Sequence, residues 1–155
     1  MKGHADIIKT LNDLLAEELT AINQYMVHSE MCDNWGYEKL HTAIEKQAID
    51  EMKHAESLIA RILFLEGSPT VSRLNQVNIG KNVREMVAND AAAETGAVRM
   101  YNDAVRQAHE LKDEGTRDLL RKILTDEEAH LDWNEQQRDQ IEQVGIENYL
   151  AAQMS

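Results

Sequence analysis

Ile49-Asp50-Glu51-Met52-Lys53-His54-Ala55 places a glutamate and a histidine three residues apart. On an α-helix, residues three apart share a face, so Glu51 and His54 can reach one point together. A lone Glu-x-x-His pair is a weak signal, and the chain holds another at Glu38-Lys39-Leu40-His41. The central copy gains weight from its echo, Glu127-Glu128-Ala129-His130. Glu18 precedes Glu51 by 33 residues, and Glu94 precedes Glu127 by the same 33. A shift of 76 carries Glu18 to Glu94, Glu51 to Glu127, His54 to His130, Tyr25 to Tyr101 and Asp50 to Asp126. The copy at Glu38 fails this test, because the shift carries His41 to Arg117. Four carboxylates and two imidazoles thus recur as two matched sets.

The chain has 155 residues, which suits a single domain over 1–155 with a core of useful size. One proline, seven glycines and few aromatic or β-branched runs argue against an all-β fold, and the apolar periodicity below makes it all-α. A net charge of −12 disfavours nucleic acid or an anionic membrane as partner, since both need a basic patch. The single cysteine, Cys32, excludes an intrachain disulfide and suits a reducing, cytoplasmic setting. Asp6, Lys9 and Asp13 interrupt any signal-peptide pattern, and no stretch approaches the roughly 20 apolar residues of a membrane span.

Apolar periodicity predicts four long helices. The first runs over Asp6–Asn34 with the stripe Ile8, Leu11, Leu15, Glu18, Ile22 and Tyr25, and ends at a turn suited to Gly36. The second spans Tyr37–Leu65 with Leu40, Ile44, Gln47, Glu51, His54, Leu58, Ile62 and Leu65. Ile49, Met52, Ile59 and Leu63 give it a second apolar flank, expected to touch something outside its own bundle. Gly67 and Pro69 end that helix. The segment from Glu66 to Lys81 can stretch about 50 Å, enough to pass a helix of about 42 Å, so it reads as a long crossover. The third helix covers Asn82–Leu111 with Val83, Val87, Asp90, Glu94, Ala97, Tyr101, Ala104, Ala108 and Leu111. After a turn at Lys112–Gly115, the fourth covers Thr116–Val144 with Leu120, Ile123, Glu127, His130, Asn134, Gln137, Ile141 and Val144. Gly145 then breaks the chain before a short fifth helix over Ile146–Met154.

Each long helix therefore sets one glutamate on its core stripe, and the second and fourth add a histidine. Ordinary buried pairs would cost several kcal/mol per uncompensated charge, and misphased stripes conflict with the heptads around Glu94 and Glu127. Paired metal ions remain. Four carboxylates balance two divalent cations, and oxygen ligands with one imidazole per ion suit iron or manganese.

Ala21-Ile22-Asn23-Gln24-Tyr25, Asp50-Glu51-Met52-Lys53-His54-Ala55, Ile62-Leu63-Phe64-Leu65-Glu66-Gly67, Asn78-Ile79-Gly80 and Asp126-Glu127-Glu128 resemble the bacterioferritins. The likeness covers nearly the whole chain. It implies a ferritin-like four-helix bundle, a hollow homo-oligomer of twenty-four subunits, and a ferroxidase that stores ferric mineral. Carried over, Glu18 and His54 would hold one iron, Glu94 and His130 the other, and Glu51 and Glu127 both. Tyr25 and Tyr101 would fix carboxylate orientation. Met52 would ligate a b-type haem shared by two subunits, in a slot with Leu19, Asn23, Ile49 and Ile59. The haem would help return iron from the mineral, with a ferredoxin as electron donor.

Some positions depart from the family pattern. Lys46 stands where some members carry a histidine, which puts an accessory inner iron site in doubt although Asp50 remains. Gln47 replaces a common glutamate. Asn34, Glu66, Asp132 and Asp139 resemble an iron pore. Cys32, Trp35 and Trp133 are expected to pack, Trp133 near enough to His130 to join oxidation chemistry. Two other readings share the ligands. A stand-alone di-iron oxidase or peroxidase would need neither the second apolar flank nor the final helix. A DNA-protecting mini-ferritin would place its iron between subunits and often carries basic tails, and neither sign is present.

Overall fold

Three of the four long helices start on a side chain that caps them. His4 Nδ1 accepts from the amide of Asp6, Asn82 Oδ1 from that of Glu85, and Asp113 Oδ1 from that of Thr116. The computed structural model describes residues 1–154. Among them it has α1 (Ala5–Asn34), α2 (Glu38–Phe64), α3 (Val83–Glu110), α4 (Glu114–Val144) and a short α5 (Ile146–Gln153), and no strand. None of these helices is long and apolar enough to cross a membrane.

Two of the glycines, Gly67 and Gly115, act differently from their sequence reading. Gly36 takes φ 82° after α1, as a C-cap glycine does. After α2 and α3, however, the left-handed residues are Glu66 (φ 61°) and Lys112 (φ 60°). Both sit in Schellman-type closures, with Gly67 N–H bonded to the Ile62 carbonyl and Asp113 N–H to that of Ala108. Gly67 serves close approach instead, since a Cβ there would lie 2.7 Å from Ile8 Cγ2. Gly115 lies inside α4, where a Cβ would meet Arg61 Nη2 at 2.7 Å. Arg61 uses that space to donate to Thr116 and Asp113.

Hydrogen bonds trace the topology. Thr70 N–H donates to Asn12, Asn75 to Thr20, Asn78 to Gln24 and Gly80 to His28. The crossover thus runs the length of α1 in the same direction and delivers α3 to the far end. Thr10 meets Gln107 while Tyr25 meets Glu94, so α3 returns antiparallel to α1. His54 meets Asp126 while His130 meets Asp50, so α4 is antiparallel to α2. A shared α1–α2 face and a shared α3–α4 face make a four-helix bundle, with α5 folded against α4 and α2.

Two apolar clusters occupy the ends of the bundle. One gathers Ile7, Leu11, Leu15, Leu58, Ile62, Ala104, Ala108, Leu120 and Ile123. The other gathers Cys32, Leu40, Ile44, Val83, Met86, Val87, Ile141 and Tyr149. Burying each large side chain contributes about 1.5–3 kcal/mol, and that stability tolerates the polar middle. The buried face of α1 is wider than one stripe: Ile7 and Leu14 join the bundle core, with Ile8 only partly buried, while Thr20, Gln24 and His28 are buried where the crossover bonds to them. Val144 and Leu111, at helix ends beyond the clusters, are exposed, and Trp35 meets Tyr37 edge-on and stays 40% exposed.

Candidate metal centre

Between the two apolar ends the bundle fills with carboxylates. Glu18 of α1, Glu51 and His54 of α2, Glu94 of α3, and Glu127 and His130 of α4 are all buried. Atoms able to ligate from Glu18, Glu51, His54 and Glu127 lie within 4.8 Å of one another, as do those from Glu51, Glu94, Glu127 and His130. Glu51 and Glu127 belong to both groups.

Each imidazole turns Nδ1 inward. His54 Nδ1 lies 2.9 Å from Glu127 Oε1, 3.3 Å from Glu51 Oε1 and 3.6 Å from Glu18 Oε2. His130 Nδ1 lies 3.1 Å from Glu51 Oε1 and 3.6 Å from Glu94 Oε1. The outward nitrogens cross between helices: His54 Nε2 bonds Asp126 Oδ2 at 2.8 Å, and His130 Nε2 bonds Asp50 Oδ2 at 3.0 Å. A carboxylate can only accept, so Nε2 keeps its proton whatever the charge of the ring, and Nδ1 is the nitrogen that can shed a proton and ligate. The Asp50 oxygen also takes Lys46 Nζ at 3.2 Å. Tyr25 donates its hydroxyl to Glu94 and Tyr101 donates to Glu18, each fully buried.

The arrangement has a deficit of partners. Glu18 Oε2, Glu51 Oε1, Glu94 Oε2, both Glu127 oxygens, and Nδ1 of His54 and of His130 are buried without an aligned hydrogen bond. A buried polar group left unpaired costs about 1–3 kcal/mol, more when charged. These atoms belong to the two groups whose ligand-capable atoms lie within 4.8 Å of one another, a donor set that would suit two cations. Electrostatics point the same way. Burial pushes the carboxyls of Glu94 and Glu127 up to about 8, and Glu51 is raised by burial and by the Glu18 charge. Burial opposes charge on His130, yet the Glu94 carboxylate outweighs it and lifts the imidazole to about 9. In the metal-free chain, bound protons offset the charge buried there.

A small enclosed cavity adjoins the group on the α1–α3 side, lined by Glu18, Gln24, Tyr25, Glu94, Ala97 and Glu127. Met52, Ile49, Leu19, Asn23 and Ile59 lie outside the centre. Met52 (45%) and Ile49 (43%) are exposed on α2, while Leu19, Asn23 and Ile59 are half-buried. Asn34, Glu66, Asp132 and Asp139 are exposed. Gln47 is buried with Oε1 unpaired, and Cys32 is buried 3.9 Å from Met86 Sδ.

Sequence reasoning paired Asp50 with Asp126 by the 76-residue shift but gave Asp126 no role. It also left Asp90 on its stripe without a function. Asp90 Oδ1 accepts from Gln24 and lies 2.9 Å from His28 Nδ1, and those two side chains accept the crossover amides of Asn78 and Gly80. Replacing Asp126 with Asn is expected to free the His54 ring. Such partners typically cost 10–100-fold in metal affinity when lost. Titration with Co2+ measures it, and Asp50→Asn should weaken the other ion comparably.

A family profile described as Ferritin-like domain matches residues 8–144. The chain is 42% identical over 156 residues to "Bacterial ferritin" of Synechocystis sp., covering 100% of each chain. It is 39% identical over 151 residues to "Bacterioferritin" of Mycobacterium bovis, covering 97% of this chain and 95% of the relative. It is 38% identical over 149 residues to "Bacterioferritin" of Rhodobacter capsulatus, covering 96% and 92%. With that likeness running end to end over an all-helical bundle and its carboxylate-lined middle, the chain belongs to the bacterioferritins of the ferritin-like family.

Proposed function

We propose that this protein oxidises Fe2+ inside each bundle and stores the ferric product within a shell of twenty-four copies. Family membership supports iron storage and ferroxidase activity. One observation carries the site-level reading: two four-residue groups share Glu51 and Glu127, each with one imidazole and with buried ligand atoms that lack any other partner.

Glu18 and His54 would hold one ion, Glu94 and His130 the other, and Glu51 and Glu127 both. A bound ferrous pair supplies two electrons to one molecule of O2 or H2O2, which avoids a one-electron oxygen product. The carboxylates favour the more highly charged ferric state by simple Coulomb attraction. His54 and His130 give up their Nδ1 protons as cations arrive, while Asp126 and Asp50 keep each ring oriented. Tyr25 and Tyr101 hold one oxygen of Glu94 and of Glu18 in place. The apolar clusters above and below exclude bulk water.

Met52 is assigned to a b-type haem gripped between two copies of this chain, with Leu19, Asn23, Ile49 and Ile59 lining the slot. What supports it is the exposed apolar surface of α1 and α2, where Met26, Val27, Ile49, Met52 and Leu63 are each more than 40% exposed. Surface of that kind marks an interaction site, and a stand-alone oxidase has no use for it. The haem would pass electrons from a ferredoxin to the mineral for release. An absorption spectrum of the purified assembly, taken before and after Fe2+ and air, tests both halves. A haem band should be present at the start, and near-ultraviolet ferric absorbance should grow within minutes. Met52→Leu is expected to lose the haem band while keeping wild-type iron oxidation. Retention of haem in that variant would reassign the axial ligand. Gel filtration addresses the competing reading, since elution as a monomer would favour a free oxidase.

A further inference from the structure

His41, which the 76-residue shift carries to Arg117, has carboxylate neighbours other than Glu38. Glu45 follows it by one turn of α2, and Glu30 reaches the same point from α1. Ligand-capable atoms of Glu30, His41 and Glu45 lie within 4.8 Å of one another. The group stands about 15 Å along α2 from Glu51, so it is separate from the buried centre.

Two exposed carboxylates alone would mean little, and the imidazole makes the difference. His41 Nδ1 lies 2.9 Å from the carbonyl oxygen of Ser29. A carbonyl only accepts, so Nδ1 carries the proton of the neutral ring. Nε2 is then the lone-pair nitrogen, and it faces Glu45 Oε2 at 3.6 Å. That separation is too long for a hydrogen bond. The imidazole lone pair and two carboxylates therefore converge on one point. Anchoring one ring nitrogen while the other is presented to a metal is how ligating histidines are held. His54 and His130 show the same division between their two nitrogens. The His41 side chain is 19% exposed and that of Glu45 is 52% exposed, so the ring is pinned while the mouth stays open. Asp33 adds negative charge nearby, and the last turn of α1 carries no basic residue to neutralise it.

We propose that Glu30, His41 and Glu45 form a surface site for a first-row divalent cation, with one imidazole nitrogen and two carboxylates as ligands and the remaining positions open to water. The N/O donor set suits Fe2+, Mn2+ or Zn2+. Water in the open positions makes the ion exchangeable, and the bond set clamps the end of α1 to the start of α2.

Zn2+ is the probe, because it cannot be oxidised. Crystals of the whole assembly soaked in Zn2+ should show an anomalous peak about 2.0–2.1 Å from His41 Nε2, in contact with Glu30 and Glu45. In solution, His41→Ala should bind one fewer equivalent of Zn2+ per chain than wild type, with iron oxidation unchanged. Glu45→Gln should weaken that same equivalent about tenfold or more. Absence of a peak at His41 in crystals whose bundle sites are filled, or equal stoichiometry in wild type and His41→Ala, overturns the proposal. Zinc at His41 with none in the bundle would support this site and count against the proposed oxidation instead.

Discussion

Glu127→Gln is expected to abolish rapid oxidation of Fe2+ while leaving the bundle folded. Glu127 is completely buried, both its oxygens lack hydrogen-bond partners, and it is common to both ligand groups. Glutamine keeps the shape but removes one negative charge and turns one oxygen into an N–H donor. That amide faces His54 Nδ1, 2.9 Å from Glu127 Oε1, and cannot bind a cation. Losing a partner behind a ligand already costs 10–100-fold, so loss of a ligand shared by both ions should cost about 100-fold or more in initial rate. A folding defect would give the same loss, so stability separates the two. Burial holds the Glu127 carboxyl up near 8, which means the metal-free protein resists its ionisation. The neutral amide relieves that burden. The variant should therefore melt no lower than the metal-free wild type at pH 8, and should gain little on adding Zn2+. Wild-type oxidation rates would remove Glu127 from the site; a lowered melting point would assign the loss to folding.

Much of this centre was legible in the chain because two independent periodicities agree on it. Helical spacing put Glu18, Glu51, Glu94 and Glu127 on inward stripes, and the 76-residue echo tied each to a counterpart. The crosswise partners of the histidines were not legible to the same degree. Asp50 and Asp126 are one residue before Glu51 and Glu127, and that position says nothing about which histidine each meets. The antiparallel register of α2 against α4 decides it, and register is a property of packing. The same limit applies to Glu66 and Lys112. Nothing in a charged side chain signals a left-handed backbone, and the glycine beside Glu66 points to a helix break for the wrong reason. Gly67 is needed because Ile8 lies against it, a contact between segments 59 residues apart. Met52 marks the opposite case. Its position on a second apolar flank was visible in the sequence, and its exposure in a single chain agrees with a surface awaiting cover.

Stripped of metal, the protein should be most stable in mildly acid solution and should lose stability as pH rises toward 9. Burial raises Glu94 and Glu127 from an ordinary 4.5 to about 8. His130 rises from 6.5 to about 9: burial opposes its charge, and the Glu94 carboxylate outweighs that opposition. All three bind protons more tightly in the folded chain than in the unfolded one. For the two carboxyls, that contribution is fully present below pH 4.5 and is lost as pH rises through about 8. For His130 it is fully present below pH 6.5 and lost through about 9. Each tenfold gain in proton affinity on folding is worth about 1.4 kcal/mol, before interactions among the groups reduce it. At about 2–4 °C per kcal/mol for a chain of this size, a fall on the order of 5–10 °C between pH 6 and pH 9 is expected. Cations reverse the trend, because they bind the deprotonated ligands and release those protons. At 100 times its dissociation constant a bound ion adds about 2.7 kcal/mol, and affinity itself grows with pH as proton competition fades. Thermal unfolding followed by circular dichroism, with chelator or with Zn2+, should give curves that meet near pH 5 and separate steadily above it. Parallel curves would mean that the ion sits away from the titrating carboxylates. A metal-free protein that grew more stable with pH would mean that those carboxylates are ionised and paired already, leaving no charge for a cation to balance.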